Sequence, residues 1–311
     1  MNNNSEVFVI NVDECDDGTR IDKFLSDEIP DYSRSFLQKI IKDDMVLAND
    51  KPVKSNYRVS GRDVLKVNVP PCVEPEIEAE DIPLDILYED DDIIVVNKPK
   101  GMVVHPAAGH FHGTLVNALM FHCKDNLSGI NGVLRPGIVH RIDMNTTGAL
   151  VVCKNDFAHA KIAEQLAVHS ITRKYCAVCL NSFSQSEGTV DAPIGRNPKD
   201  RKKMAVDIKN GRRAVTHYRV LENFNQFAYI ECMLETGRTH QIRVHMASIG
   251  HPILGDDVYG SKKSPYNLEG QTLHARVLGF IHPRTEKYIE FEAPLPDYFN
   301  RVLYDLRSSG R

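Results

Sequence analysis

Pro136-Gly-Ile-Val-His-Arg-Ile-Asp-Met-Asn-Thr-Thr-Gly-Ala-Leu-Val-Val152 places a carboxylate, Asp143, directly after His140 and Arg141 and between two apolar runs that read as buried strands. Aspartate is disfavoured inside strands, and a buried carboxylate is costly unless a cation or several donors compensate it. Chains keep such a conflict mainly at sites of function. The other reading is that Asp143 caps the turn before Thr146-Thr147-Gly148. On this fragment alone both readings stand.

Around this stretch lie 311 residues, 42% hydrophobic and 26% charged, a composition that fits about two globular domains and excludes a disordered chain. No apolar run approaches the ~20 residues needed to span a bilayer. The first residues, MNNNSEVFVINVDECDD, lack a basic flank and an apolar signal core, so no export is expected. Cysteines at 15, 72, 123, 153, 176, 179 and 232 are odd in number and scattered, several of them in apolar runs. That fits buried thiols in a cytoplasmic protein.

The net charge of −4 averages over a segregated field. Residues 71–92 carry ten acidic side chains and no Lys or Arg, which leaves the rest of the chain at +6. Residues 196–213 hold eight Lys or Arg against two Asp. Local patches of this kind, not the average, steer phosphate backbones, although either run is also compatible with a solvated face.

In chain order, Val7 to Val12 reads as a strand, and Ile21, Phe24, Leu25 and Ile29 form one helical stripe that Pro30 ends. Ser33 caps a second helix burying Phe36, Leu37, Ile40 and Ile41, with Arg34 and Lys39 exposed. Met45–Ala48, a turn at Asn49-Asp50 and Val64–Val69 read as short strands. Residues 71–84 combine proline with acid and read as an extended linker. Beyond it, Ile86–Tyr88 and Ile93–Val96 suggest a hairpin, Thr114 and Asp156 cap helices, and Ile171–Leu180, Ala214–Leu221 and Phe227–Leu234 are strands. Thr239 opens a helix to Ile249, and Leu273–Ile281 and Lys287–Phe291 follow. Hairpins and meanders with helices at the sides imply α+β, with a mixed, mostly antiparallel central sheet.

Glu235-Thr-Gly-Arg-Thr-His-Gln-Ile-Arg-Val-His245 turns from strand into helix, with Ile242, Met246 and Ile249 on the core stripe and Arg243 on another face. An Arg243–Asp143 pair would satisfy both residues and keep Asp143 ionised. Contact of Arg243 with a carbonyl or solvent is equally open at this level.

Two resemblances now become specific. Arg20-Ile-Asp-Lys-Phe-Leu25, Ser33-Arg-Ser-Phe-Leu37 and Val46-Leu-Ala-Asn-Asp-Lys-Pro-Val53 resemble the small α/β, S-four-like RNA-binding domain, with Asp50 where the hairpin turn usually has glycine. His140-Arg-Ile-Asp-Met-Asn-Thr-Thr-Gly148 resembles the catalytic signature of the RNA pseudouridine synthases that modify ribosomal RNA. The likeness continues at Leu87–Gly101, Arg173-Lys-Tyr175, Thr236–His245 and His251-Pro-Ile-Leu-Gly-Asp-Asp-Val-Tyr-Gly260. Departures are Ile142 for Leu, Asn145 for Asp and Thr147 for Ser, which touch the shape of the loop but not the carboxylate.

The resemblance implies an RNA-binding domain at 13–70, the linker at 71–84 and a catalytic domain of the pseudouridine synthase fold at 85–311. It further implies that Asp143 is the nucleophile, that Arg141 fills the gap left by a flipped uridine, that Tyr175 stacks on the uracil and that Arg243 pairs with Asp143. Flipping a base out of its stack calls for an aromatic platform and a space-filling cation. Arg34, Lys39, His140, Arg196, Arg201, Lys202 and Lys203 are candidate RNA contacts, the last four on a basic segment, Arg196–Arg213, suited to gripping a stem. Isomerising uridine needs neither redox change nor water, so no cofactor is expected.

No metal is expected either. Cys176 and Cys179 have metal-like spacing but would point to opposite faces of a strand. His240 and His245 lack the metalloprotease pattern and read as packing or capping, while His105, His110 and His112 read as a loop near the site. The chain is thus expected to be a cytoplasmic, monomeric isomerase that meets structured large-subunit ribosomal RNA, or a precursor ribosome, and no membrane. Competing readings are a transfer-RNA target, a non-catalytic RNA-binding assembly factor, and a hydrolase using Asp143 as a base, for which no paired-carboxylate motif exists.

Overall fold

The structure is a computed structural model that describes residues 6–70, 77–106, 109–124, 126–130, 135–200, 203–260 and 266–309. It divides into two units, Met1–Pro75 and Glu76–Arg311.

The first unit runs β1 (Glu6–Asn11), α1 (Ile21–Glu28), α2 (Arg34–Lys42), β2 (Val46–Ala48), β3 (Lys51–Pro52) and β4 (Val64–Val69). The strands form one antiparallel sheet in the order β1-β4-β2-β3. Strand β1 thus lies upstream of the expected domain start at residue 13. Ser33 caps α2 by accepting from the Phe36 N–H at 3.3 Å. Ile21, Phe24, Leu25, Leu37, Ile40 and Ile41 are buried together against the sheet. Beside them the buried Asp22 carboxylate accepts from Arg20, Arg34 and Gln38. Burial pushes this carboxyl up, but those donors outweigh it and bring it down to about 2.

The second unit begins before residue 85. Ile77 is buried in its core, Asn117 Nδ2 donates to the Glu78 carbonyl, and the Glu80 carboxylate accepts from the Gly113 N–H. The second half of the expected linker is therefore laid onto this unit, because Ile77, Ile82 and Leu84 give the acidic stretch an apolar side. Residues 71–76 of that linker lie outside the described residues.

Its elements are β5 (Ile86–Glu89), β6 (Ile93–Lys98), α3 (Leu115–Cys123), β7 (Thr147–Cys153), α4 (Asp156–Ala167), β8 (Thr172–Leu180), β9 (Glu187–Asp191), β10 (Ile194–Arg196), β11 (Met204–Val206), β12 (Val215–Asn223), β13 (Phe227–Leu234), α5 (Gln241–Ser248), β14 (Leu273–Ile281), β15 (Tyr288–Glu292) and α6 (Asp297–Ser309). The main sheet has the order β5-β6-β7-β14-β8-β13-β12-β9, with β15 also on β14. Among the described residues only the β7–β14 pair is parallel, so the mixed, mostly antiparallel α+β reading holds. Residues β10 and β11 form a separate hairpin at the base of the basic segment.

Helices cover both faces of the sheet. Ile94, Val96, Leu150 and Val152 face α3 and α5, Ile93, Val95 and Val151 face α4, and Val178, Phe227 and Tyr229 face α6. Double coverage explains why β7 is buried at every position and reads as a continuous apolar run. At its start Gly148 has φ +111°, and a Cβ there would meet the Ala275 carbonyl oxygen at 2.2 Å, so only glycine lets β14 approach.

Three local expectations change. The run before Asp143 is not a strand; Ile138 makes a single bridge to Val152, and Asp143 lies in the turn that feeds β7. Asn155, not Asp156, caps α4 by accepting from the Ala158 N–H at 2.9 Å. Helix α5 starts at Gln241, behind a left-handed His240 with φ +58°. Among the described residues no helix is long and apolar enough to cross a membrane.

Candidate active site

The turn carrying Asp143 is held from distant parts of the second unit. The Thr146 N–H closes onto the Asp143 carbonyl at 3.0 Å, and Gln271 Nε2 donates to Thr146 Oγ1 at 3.0 Å. Lys98, at the end of β6, is 1% exposed and donates its ammonium to the carbonyls of Pro99, Met102 and Met144. Burial pulls this amine down to about 7, with Asp143 acting in the opposite direction.

Arg243 enters from α5. Gln241, beside it, fixes the turn between β13 and α5: its oxygen accepts from Thr236 Oγ1 and the Arg238 N–H, and its amide donates to Val215 O. Arg243 Nη1 donates to Asp143 Oδ2 at 3.0 Å, forming the pair that both residues needed. The other side of the guanidinium is claimed by Asp256, whose carboxylate takes Nε at 2.7 Å and Nη2 at 2.9 Å. Asp256 is fully buried and also accepts the N–H groups of Val258 and Tyr259. Burial opposes both charges, but the Asp256–Arg243 bonds outweigh it, so the arginine rises above its ordinary value and the aspartate falls below its own.

His240 Nε2 lies 3.9 Å from Asp143 Oδ1, and His240 Nδ1 lies 2.8 Å from the Tyr259 hydroxyl. Burial disfavours its charged form, against the pull of Asp143. Tyr175, on β8, forms a wall of the cleft and is 8% exposed; burial raises its hydroxyl, so it stays protonated at neutral pH. The cleft is open to solvent and is lined by Arg141, Asp143, Tyr175, Arg238, His240 and Arg243, among others.

The expected RNA contacts divide. Arg141 is exposed at the rim, donating to His105 Nε2 at 3.5 Å; burial, then the Arg141 charge, lowers His105 to about 4, so its ring stays an acceptor. His140 turns inward instead, with its Nε2 accepting from the Val151 N–H at 3.1 Å and burial lowering it to about 3. Lys39 and Arg196 are exposed, whereas the Arg34 head is bound to Asp22 at 2.8 Å. Lys203 donates to the Val258 carbonyl, and the Met204 N–H donates to Tyr259 Oη, tying the basic hairpin to the segment that bears Asp256. Arg201 and Lys202 lie outside the described residues.

Cys176 and Cys179 do pack on opposite faces of β8. Two clusters bring together groups that could hold a cation, Glu89/His122/Cys123 and Asp90/Asp92/His282, but Lys154 and Arg284 already answer their charge. Both are remote in sequence from Asp143.

Comparison with known proteins gives the family. Residues 92–248 match the family described as RNA pseudouridylate synthase, and residues 19–65 match the S4 domain. An uncharacterised RNA pseudouridine synthase of Bacillus subtilis (strain 168) is 55% identical over 94% of this chain and 95% of its own. This chain belongs to the RNA pseudouridine synthases. It is accordingly an isomerase with an RNA-binding module. The ribosomal large subunit pseudouridine synthase D of Zymomonas mobilis is 47% identical over 94% of this chain and 96% of its own. Among solved structures, human RNA pseudouridylate synthase domain containing 4 has a TM-score of 0.55 and 28% identity, covering 72% of this chain and 93% of that one.

The matched segment 92–248 includes Lys98, Arg141, Asp143, Tyr175 and Arg243 but stops before Asp256 and Tyr259. Asp256 lies in the His251–Gly260 run that carries part of the resemblance, but the sequence assigned it no role. The signal that could have found it is the arginine: a buried guanidinium with one partly exposed carboxylate still has two nitrogens to satisfy.

Proposed function

We propose that this isomerase converts uridines of large-subunit ribosomal RNA to pseudouridine, with Asp143 acting on a uridine turned out of its stack. The observation that carries the reading is the Asp143–Arg243 pair at a cleft walled by Tyr175. The target class is supported by relatives from Zymomonas mobilis, Neisseria meningitidis and Haemophilus influenzae, named ribosomal large subunit pseudouridine synthase D, at 44–47% identity.

The reaction breaks the C1′–N1 bond and makes a C1′–C5 bond; C5 loses a proton and N1 gains one. Atoms and electrons balance within the substrate. Arg243 holds the Asp143 carboxylate in place through Oδ2, which leaves Oδ1 for the substrate, as a positioned nucleophile requires. Tyr175, protonated and largely buried, offers its ring as a stacking face for the uracil. Arg141, on the rim beside Asp143, would occupy the space vacated in the RNA, offsetting part of the few kcal/mol that extrusion costs.

The test incubates unmodified transcripts of large-subunit ribosomal RNA and of transfer RNA with the protein and with Asp143→Ala, mapping pseudouridine nucleotide by nucleotide. Modification of the ribosomal transcript by the wild type alone is expected. Modification confined to transfer RNA would move the target class, and binding without modification would leave an assembly factor in place of an enzyme.

A further inference from the structure

Arg173, on β8 two residues before Tyr175, is 7% exposed, and no carboxylate among the described residues pairs with it. Its Nη2 donates to the Glu235 backbone carbonyl at 3.2 Å, and its Nε has no hydrogen-bond partner. The Glu235 carboxylate faces away, taken by Arg213 and His217. A buried charge left this way is costly, and a charge-assisted bond to an anion would offset that cost.

The guanidinium lines a groove that opens next to the Asp143 cleft. Arg141 and Arg238 line the same groove, and Asp143, already paired with Arg243, is its only acid. Three guanidinium groups therefore meet in a groove whose one negative charge is spoken for. Ala163, Leu166 and Ala167 of α4 provide a smooth apolar side. The groove is thus positive, and it shares Arg141, Asp143, Tyr175 and His240 with the place where a base would sit. Gly237 completes the arrangement: a Cβ there would lie 2.7 Å from Arg173 Nη1, so the missing side chain is what lets the guanidinium rest at this level.

We propose that Arg173 is the binding site for a backbone phosphate next to the target nucleotide, so that the groove holds the RNA backbone while the cleft holds the base. This rests on the function proposed above and adds a subsite to it. Phosphate oxygens would accept from the guanidinium where it lines the groove, and the missing counter-charge would be supplied by the substrate itself. A purely structural Arg173, bracing the Glu235 turn, would serve RNA only through folding.

The experiment measures affinity for a large-subunit ribosomal transcript against salt, in the Asp143→Ala background so that the RNA stays unmodified. Arg173→Met should weaken binding and reduce the slope of log affinity on log salt by about 0.7 to 0.9, the loss of one phosphate contact. Arg173→Lys, which keeps the charge, should restore the slope. Arg173→Gln, which removes the charge but keeps a polar side chain, should reproduce the Arg173→Met slope; it carries the test if Arg173→Met does not fold. An unchanged slope in the folded variant overturns the phosphate site. Pseudouridine formation by the wild-type protein on the same transcript is read alongside: modification with an unchanged slope sinks the subsite alone, and no modification sinks the function it rests on.

Discussion

Asp256→Asn and Asp143→Asn remove the same charge from either side of Arg243, and the geometry gives them different consequences. Asp256 is wholly buried and its two oxygens accept four hydrogen bonds, two from Arg243 and one each from the Val258 and Tyr259 N–H groups. An asparagine keeps one accepting oxygen and turns an NH2 toward donors, leaving part of a buried guanidinium uncompensated. Breaking a buried pair from one side costs about 3–5 kcal/mol. Because Arg243 retains Asp143, the low end applies, about 3 kcal/mol. At roughly 2–4 °C per kcal/mol for a unit of this size, the melting transition of the second unit should fall by roughly 6–12 °C.

Asp143 has a 19% exposed side chain and one bond to Arg243, so Asp143→Asn should change stability by less than about 1 kcal/mol. Calorimetry reads both variants, with the transition of the first unit as an internal control, and pseudouridine formation is measured on the same samples. Asp143→Asn should be stable and inactive, Asp256→Asn unstable and impaired. Equal melting losses in the two variants, or none in Asp256→Asn, would refute the assignment of Asp256 as the residue that anchors Arg243.

Other consequences are more local. Asn49 and Asp50, with φ +49° and +61°, form the two-residue turn between β2 and β3, so Asp50→Gly should stabilise the first unit by about 0.5–1 kcal/mol in chemical denaturation. His274 is buried, its Nε2 donating to Ala293 O and its Nδ1 accepting from Thr147, and burial lowers it to about 4. Its neutral form is the one the fold accepts, so its contribution is intact above the unfolded value near 6.5 and erodes as pH falls toward 4, at up to about 1.4 kcal/mol per pH unit. Unfolding curves from pH 7 to 4.5 should show this slope, and it should be shallower in His274→Gln. Reversing Arg201, Lys202 and Lys203 to Glu should weaken RNA binding and flatten its salt dependence; an unaltered slope would take the basic hairpin out of the RNA contact.

The sequence made the sheet legible because its strands are covered on both faces, so β6, β7 and β13 appear as apolar runs of strand length. Asp143 stood out for the same reason, as a charge beside such a run. The Arg243–Asp143 pair apart, what escaped was set by distant partners. Lys98 and Gln271 fix the Asp143 turn from 46 and 125 residues away, through Met144 and Thr146. No local periodicity records either contact. Arg34 was misleading in another way: the helical pattern correctly left it half exposed, but its head is drawn to Asp22, whose burial the pattern Arg20-Ile-Asp22 does not announce.

These long-range contacts also decide how much chain the site needs. The segment shared with the family ends at residue 248, and it already contains Asp143, Tyr175 and Arg243. Yet β14, at Leu273–Ile281, stands between β7 and β8 in the sheet, pairing with both. Without it, the strand that follows Asp143 and the strand that carries Tyr175 would have no common neighbour, and Arg243 would lose Asp256. A protein ending after residue 248 should therefore fail to hold Asp143 and Tyr175 together, although every residue expected to touch the uridine would still be present. Adding residues 249–311 back as a separate chain and recovering pseudouridine formation would confirm that the tail acts by completing the sheet; recovery of activity by the truncated chain alone would show that β14 is dispensable and that the site assembles from local contacts.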